Sequence, residues 1–92
     1  MKYNDNQLRE AIAQKDEKVI TEVARDYAET KLAMFNIAED QKAFILEECV
    51  KDAIKYSFKF DLKKKYAKVF SYIAQIVGSS VGKNIFKKFD KK

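Results

Sequence analysis

Apolar side chains recur at every third or fourth position in the C-terminal third of the chain: Phe70, Ile73, Val77, Val81 and Ile85. This spacing predicts a helix at residues 69–89 with one apolar face, which other parts of the chain must cover. The chain has no proline and only two glycines, which favours helices joined by short loops. Both glycines, Gly78 and Gly82, fall inside this helix, where they could allow close packing, a bend or close approach of the backbone to a ligand.

Three more helical patterns precede this helix, at residues 6–14, 16–34 and 37–58, and residues 60–68 form a connector. Ninety-two residues with 47% hydrophobic content are enough for one core but not for two. We therefore predict an all-α fold, with residues 1–92 forming one compact single domain of three to four helices.

Polar residues mark the starts of two of these helices. Asn4 or Asp5 can cap the first helix, because short polar side chains accept hydrogen bonds from free backbone amides. Asn36 is followed three positions later by Glu39, which is the spacing of a capping box. We therefore expect Asn36 to cap the third helix.

The first and third helices carry apolar faces of different width. The narrow face of the first consists of Leu8, Ile12 and Ala13. The face of the third consists of Leu46, Val50, Ala53 and Ile54, widened by Ile45 and Cys49. A single cysteine excludes an internal disulfide, and its place in an apolar pattern predicts a buried thiol.

Charge divides the chain into two unlike halves. Residues 1–50 hold 7 Lys and Arg against 11 Asp and Glu, a net charge of −4. Residues 51–92 hold 12 Lys against 3 Asp, a net charge of +9. Two halves of opposite sign suggest two kinds of partner, with nucleic acid or an anionic membrane on the basic side. The alternative is an ordinary lysine-rich protein with solvated faces.

The connector and the start of the last helix combine cations with aromatic rings. The cations are Lys63, Lys64, Lys65 and Lys68, and the rings are Tyr66, Phe70 and Tyr72. Lysines neutralise phosphates and rings stack on unpaired bases, so the segment is typical of a nucleic-acid contact. Tyr72 is the first candidate for stacking, because it lies about 100° round the helix from Ile73; Tyr66 is the second. The alternative is a solvated loop beside core aromatics.

Several functional classes find no support in the sequence. The chain has no histidine, so a histidine-based metal site or catalytic triad is excluded. With no phosphate-binding glycine loop and no paired-carboxylate site, we expect no enzyme activity, no metal and no cofactor. The N-terminus lacks an apolar signal core, which predicts a cytoplasmic protein.

A membrane-surface function is the main rival hypothesis. Residues 69–82 carry no charge, and lysines follow. Fourteen residues are short for a span of about 20, but such a segment could lie on an anionic membrane surface. The acidic N-terminal half favours a folded domain without a membrane partner.

The order of these features resembles the second conserved region of bacterial sigma factors, most closely the small sigma factors that tailed bacteriophages use for late transcription. The chain reads LEECVKDAIK at residues 46–55 and FD at 60–61, then YIAQ at 72–75 and IFKK at 85–88. Residues 3–12, YNDNQLREAI, look like the opening of the phage proteins. The resemblance covers about half the chain well and rests on order and spacing rather than on one motif.

The resemblance implies a transcription initiation factor with two contact surfaces. The third helix would dock on the clamp helices of the largest subunit of bacterial RNA polymerase, through Glu47, Glu48, Lys51 and Lys55. The four connector lysines and the three rings would hold and open AT-rich promoter DNA. Further DNA-facing positions on the last helix would be Gln75, Ser79, Lys83 and Lys87.

The chain also departs from the family pattern. Gln75 and Ile76 stand where housekeeping sigma factors have a Trp pair, and Cys49 stands at a position usually held by glycine. Accessory phage subunits could therefore supply the missing promoter contacts. A sigma-like decoy or regulator, which binds polymerase without DNA, is an alternative from a different class.

Overall fold

Four α-helices make up most of the computed structural model, which describes the backbone of residues 2–90 and the side chains of residues 2–85. They are α1 (Asp5–Gln14), α2 (Glu17–Leu32), α3 (Glu39–Ser57) and α4 (Val69–Asp90). No strand occurs in residues 2–90. The helices form a globule of 44 × 22 × 20 Å, which confirms the predicted all-α class.

The first two helices begin at side-chain caps. Asn4 Oδ1 accepts a hydrogen bond from the Gln7 amide at 2.8 Å, and the Gln7 side chain accepts one from the Asn4 amide at 2.9 Å. Lys15 then adopts a left-handed conformation with φ 56°, which ends α1. Asp16 Oδ1 accepts from the amides of Lys18 and Val19 and so caps α2. The first capping prediction is therefore confirmed at Asn4.

The predicted cap at Asn36 is wrong. Turn bonds carry α2 onward to Phe35, whose amide donates to the Leu32 carbonyl at 3.0 Å. Three residues outside any helix follow, and α3 starts at Glu39 with Ala38 at the N-cap and no side-chain cap bond. Two carboxylates in the first turn, Glu39 and Asp40, complement the positive end of the helix dipole there.

The core lies where α4 packs against α2 and α3, with smaller contacts from α1. The buried residues of α4 are Val69, Ile73, Val77, Ser80, Val81, Asn84 and Ile85. Facing them are Ile20, Val23, Ala24, Ala28 and Leu32 of α2, and Ile45, Cys49, Ala53 and Ser57 of α3. Three of these facing residues are alanines, which let helix backbones approach closely.

The predicted face of α3 shifts by about one position, whereas the predicted faces of α4 and α1 each differ from the structure at one residue. On α3 the buried arc is centred on Ile45, Cys49 and Ala53, while Leu46, Val50 and Ile54 lie at its partly exposed margin. On α4 Val69 is fully buried and Phe70 half-buried, and on α1 Ala11 is buried where Ala13 was expected. The periodicity fixes a helix but leaves its rotation open, because α3 touches α2 on one side and α4 on the other.

Cys49 is buried, as predicted, and its Sγ donates to the Val77 carbonyl at 3.9 Å. Burial raises the pKa of this thiol, so the reactive thiolate is disfavoured. Nearby, Asn84 Nδ2 donates to the Ser80 carbonyl at 2.8 Å. The α3–α4 interface thus mixes apolar and polar groups, and among the polar ones the buried Ser57 hydroxyl has no hydrogen-bond partner within the described residues.

Neither glycine of α4 is needed for packing. A Cβ atom added at Gly78 or Gly82 would meet nothing within 4 Å, and neither residue has a positive φ. Close helix packing, one of the three roles considered for them, is therefore excluded.

The apolar side of α4 is covered in the folded domain. Val69, Ile73 and Val77 have no exposed surface, so they cannot reach a bilayer unless α4 leaves the core. Within the described part of the chain, no helix is both long enough and apolar enough to cross a membrane.

Candidate nucleic-acid interface

The α3–α4 connector, residues 58–68, is a series of tight turns. Phe60 is buried at its start, and its amide donates to the Ser57 carbonyl at 3.1 Å. Asp61 then closes the next turn, because its carboxylate accepts from the Lys63 amide at 3.0 Å and its carbonyl accepts from the Lys64 amide at 3.1 Å. The connector therefore leaves the core at a fixed point with defined local geometry.

Arg9 of α1 holds the rest of the connector. Its guanidinium donates to four connector carbonyls, those of Leu62 (3.3 Å), Lys64 (2.8 Å), Lys65 (3.2 Å) and Ala67. The guanidinium carbon also lies 5.5 Å from the centre of the Phe60 ring, within the range of a cation–π contact. A rigid fork with several donors suits this task, whereas a lysine would offer only a point charge.

Asp5 links Arg9 to the last helix. One carboxylate oxygen accepts from Arg9 Nε at 2.7 Å, and the other accepts from the Val69 amide at 2.9 Å. Asp5 therefore caps α4 from a position 64 residues away. The Arg9 hydrogen bond, followed by the Val69 amide, lowers the pKa of the Asp5 carboxyl.

The Arg9–Asp5 pair is absent from the sequence prediction. The four-residue spacing of Asp5 and Arg9 fits an ion pair on one helix. The connector carbonyls that Arg9 binds lie 53 to 58 positions further along the chain. Periodicity does not report a contact at that separation, so no sequence signal pointed to it.

The predicted lysine cluster is fully presented to solvent. Lys63, Lys64, Lys65 and Lys68 are all exposed, and within residues 2–85 none of them forms an ion pair. Because Arg9 binds the backbone of this segment, the lysine side chains are not needed to hold it. The result is an exposed cationic surface on a backbone that Arg9 holds, in which Lys68 also interacts electrostatically with the Asp5 carboxylate.

The three predicted rings occupy different environments. The Tyr66 side chain is 92% exposed. Tyr72 instead packs edge-on against Phe60, with ring centres 5.2 Å apart, and its hydroxyl donates to the Tyr56 carbonyl at 3.4 Å. Phe70 packs edge-on against Tyr27 at 5.6 Å. Exposure therefore favours Tyr66 over Tyr72 as the stacking ring, the reverse of the order expected from the helical wheel.

The predicted positions on α4 meet α3 in a shallow groove. Gln75, Ser79 and Lys83 line it together with Asp52 and Tyr56, and its volume is about 350 Å³. Lys83 Nζ lies 3.6 Å from the Asp52 carboxylate, so its charge is partly neutralised. The side chain of Lys87 lies outside the described residues.

The predicted polymerase-contacting side of α3 faces solvent. Glu47, Lys51 and Lys55 are exposed, and Glu48 is half-buried with its carboxylate 3.4 Å from Lys51 Nζ. This outer face of α3 is a mixed-charge stripe with no net charge. Lys55 also contributes to the basic, aromatic surface, because its ammonium group lies 5.3 Å from the centre of the Tyr56 ring.

Tyr56 and Lys59 join these predicted residues as unforeseen members of the interface. The Tyr56 ring is 39% exposed, and the ammonium groups of Lys55 and Lys59 each lie 5.3 Å from its centre. Lysines one and three positions from a tyrosine at a helix end were the available sequence signal. The ring and its two cations extend the basic, aromatic surface from the connector onto α3.

Comparisons with protein-family models, with curated proteins and with solved structures found no match to this chain.

Proposed function

We propose that this protein binds nucleic acid through the α3–α4 connector and acts as a minimal sigma-like transcription initiation factor, with RNA polymerase held on the outer face of α3. The observation that carries the proposal is the order of a connector whose four lysines are exposed and form no ion pair within residues 2–85. Holding four like charges together at a surface is unfavourable unless anions neutralise them. A phosphate backbone supplies such anions at regular spacing.

The surroundings of the connector support DNA that is partly opened. Tyr66 offers an exposed ring among the cations, and Tyr56 offers a second ring between Lys55 and Lys59. Exposed rings beside lysines suit unpaired bases next to a phosphate backbone. Opening an AT-rich step costs a few kcal/mol, and stacking on these rings would offset part of that cost.

The polymerase contact rests on the outer face of α3 and on the resemblance of residues 46–61 to the sigma pattern. The outer face of α3 carries exposed charges of both signs, so it resembles the polar rim of a protein interface more than a nucleic-acid surface. Reversing one charge there should weaken binding to polymerase without touching the connector.

One observation favours the alternative of a regulator that binds polymerase without melting DNA. Two of the three rings assigned to strand opening, Phe70 and Tyr72, make contacts within the domain. A protein that keeps those rings folded away would occupy the polymerase and leave promoter DNA closed.

Nucleic-acid binding is tested by changing Lys63, Lys64 and Lys65 together. Changing all three to Ala should weaken binding to AT-rich single-stranded and duplex DNA at least tenfold. It should also reduce the number of counterions released on binding to duplex DNA by about three, which lowers the salt dependence of the affinity. Changing the same residues to Arg keeps the charge and is the matched control. Because Arg9 binds backbone carbonyls, the fold should survive both changes, which circular dichroism checks. Equal binding by the two variants would contradict the proposal.

The polymerase step is tested by pull-down with bacterial core RNA polymerase and by run-off transcription from an AT-rich late-type promoter. Glu47→Lys should reduce binding to core polymerase, whereas Glu10→Lys on α1 provides a charge-matched control. Binding followed by initiation supports the sigma function, and binding without initiation supports the regulator. No binding to core polymerase would overturn both.

A further inference from the structure

A cavity of about 160 Å³ lies between the N-terminal segment, the middle of α2 and the first turn of α4. It is separate from the exposed connector lysines. Its walls combine three aromatic rings with two carboxylates; its lining residues are Lys2, Tyr3, Glu22, Val23, Asp26, Tyr27, Thr30 and Phe70. Aromatic walls with acidic groups at the rim are the surroundings in which organic cations bind.

The rings are held in place by their neighbours. Tyr27 and Phe70 meet edge to face at 86°, with centres 5.6 Å apart. The Tyr3 hydroxyl donates to a Glu22 carboxylate oxygen. Lys31, which does not line the cavity, already places its ammonium 5.7 Å from the Tyr27 ring centre. This π-system therefore accepts a cation within the molecule itself.

One of the two carboxylates that line the cavity has no ion-pair partner within residues 2–85. Glu22 is occupied, because it also receives the Lys2 ammonium at 3.4 Å, and its pKa is lowered mainly by the Tyr3 hydrogen bond. Asp26 forms no ion pair within residues 2–85. Two carboxylates and one ammonium line the cavity, and Asp26 is the carboxylate that remains without an ion pair in the described part of the chain and could attract a cation.

We propose that this cavity binds a small organic cation, an alkylammonium group whose carbon atoms contact the rings while its charge faces Asp26. An anionic ligand would be repelled by both carboxylates. A neutral apolar ligand would leave Asp26 without a partner. The inference does not rest on the proposed function, because it uses neither the connector lysines nor the outer face of α3; it shares with that function one ring, Phe70, which lines the cavity.

The test is a ¹H–¹⁵N NMR titration of the full chain with tetramethylammonium chloride, against sodium chloride at equal ionic strength. Saturable shifts confined to residues around Tyr3, Tyr27 and Phe70, with a millimolar dissociation constant, are expected. Shifts that rise linearly, or that sodium chloride reproduces, would overturn the site.

Two exposed substitutions should change this affinity in opposite directions. Asp26→Asn removes the unpaired carboxylate and should weaken tetramethylammonium binding about threefold, whereas Lys2→Gln removes the competing ammonium and should strengthen it about twofold. Glu29→Gln on the same helix lies outside the cavity and is the matched control. If all three variants bind equally, the carboxylate has no role and the proposal fails.

Two further probes identify the source of the cation. Propylammonium represents a free amine, and Nα-acetyl-lysine amide represents a lysine side chain of a protein. Binding of both indicates that a protruding side chain can enter, and binding of propylammonium alone indicates a small metabolite. Failure of both, together with tetramethylammonium, overturns the site.

Discussion

The two longer connections of this domain are built in opposite ways. The α2–α3 connection, residues 33–38, exposes large apolar side chains, with Met34 72% and Phe35 46% exposed, and its following helix has no side-chain cap. The α3–α4 connector is longer and strongly cationic, yet Arg9 binds four of its carbonyls and Asp5 caps the helix after it. Order in the basic connector is thus achieved by polar contacts from a distant helix, without burial of its lysines.

The contrast indicates which of the two connections has a fixed backbone conformation. Ordering a residue costs about 1–2 kcal/mol of conformational entropy. In the α2–α3 connection turn bonds at the end of α2 supply most of the constraint, whereas in the basic connector a dedicated pair of charged residues does so. The connector is therefore the place where the backbone is held by polar contacts while its lysine side chains stay exposed.

The largest expected effect comes from Arg9→Leu. It removes the hydrogen bonds to the connector and the contact with Phe60, and should lower the free energy of unfolding by about 2–3 kcal/mol. Urea denaturation measures this loss, and hydrogen exchange should show faster exchange in residues 61–68. Arg25→Leu, at an exposed arginine of α2, is the control and should cost less than about 0.5 kcal/mol. If Arg9→Leu and Arg25→Leu lower the free energy of unfolding equally, Arg9 does not order the connector and the contrast between the two connections is wrong.

A smaller effect is expected from Asp5→Asn, which keeps a capping oxygen for Val69 and loses the ion pair with Arg9. The cost should be about 1 kcal/mol near neutral pH. Because the folded-state pKa of Asp5 lies below its ordinary value of 3.8, its contribution is complete above that pH and is lost as the pH falls through the folded-state pKa. Stability measured from pH 6 to pH 2 should therefore fall less steeply in Asp5→Asn than in the wild type. Parallel curves would contradict the assignment.

The two asparagines test the difference between a capped and an uncapped helix start. Asn4→Ala should cost about 1 kcal/mol, because it breaks the capping box of α1. Asn36→Ala should change stability by less than about 0.5 kcal/mol, since Asn36 does not cap α3. Thermal or urea unfolding of the two variants measures both values. A similar cost for Asn36→Ala would restore its predicted role.

The smallest effect is a gain in stability. Gly78→Ala should stabilise the domain by about 0.5–1 kcal/mol, because alanine favours the helix and its Cβ meets no neighbour. In the double variant with Arg9→Leu, Gly78→Ala should raise the free energy of unfolding above that of Arg9→Leu alone. It should not restore slow hydrogen exchange in the connector. Restored protection there would show that the connector depends on α4 rather than on Arg9.

Periodicity predicted the elements well and their surroundings less well. The last helix was expected at residues 69–89 and spans Val69–Asp90, because a long apolar repeat without proline defines a helix. Asn36 was misassigned because the capping-box spacing is local and says nothing about how far the turn after α2 extends. Tyr72 was preferred over Tyr66 because the helical wheel records direction and not the neighbour, here Phe60, that occupies it.

The candidate nucleic-acid surface was predictable only in part. The connector lysines and Tyr66 follow from composition and position, and the structure presents them as exposed. Arg9, Asp5 and Tyr27 act through contacts with residues far along the chain, and a single sequence does not report such contacts. The proposed cation site could not be predicted from periodicity for the same reason, because three separate segments of the chain form its walls.

The hydrogen bond from the Val69 amide to Asp5 joins two residues that lie 64 positions apart in the chain. During synthesis Asp5 leaves the ribosome long before Val69. A growing chain therefore contains the capping residue before it contains the start of α4. The connector can take its final shape only after residue 69 has emerged. Removal of the first ten residues by a protease would, by the same link, release the connector at the far end of the sequence and expose its lysine bonds to trypsin.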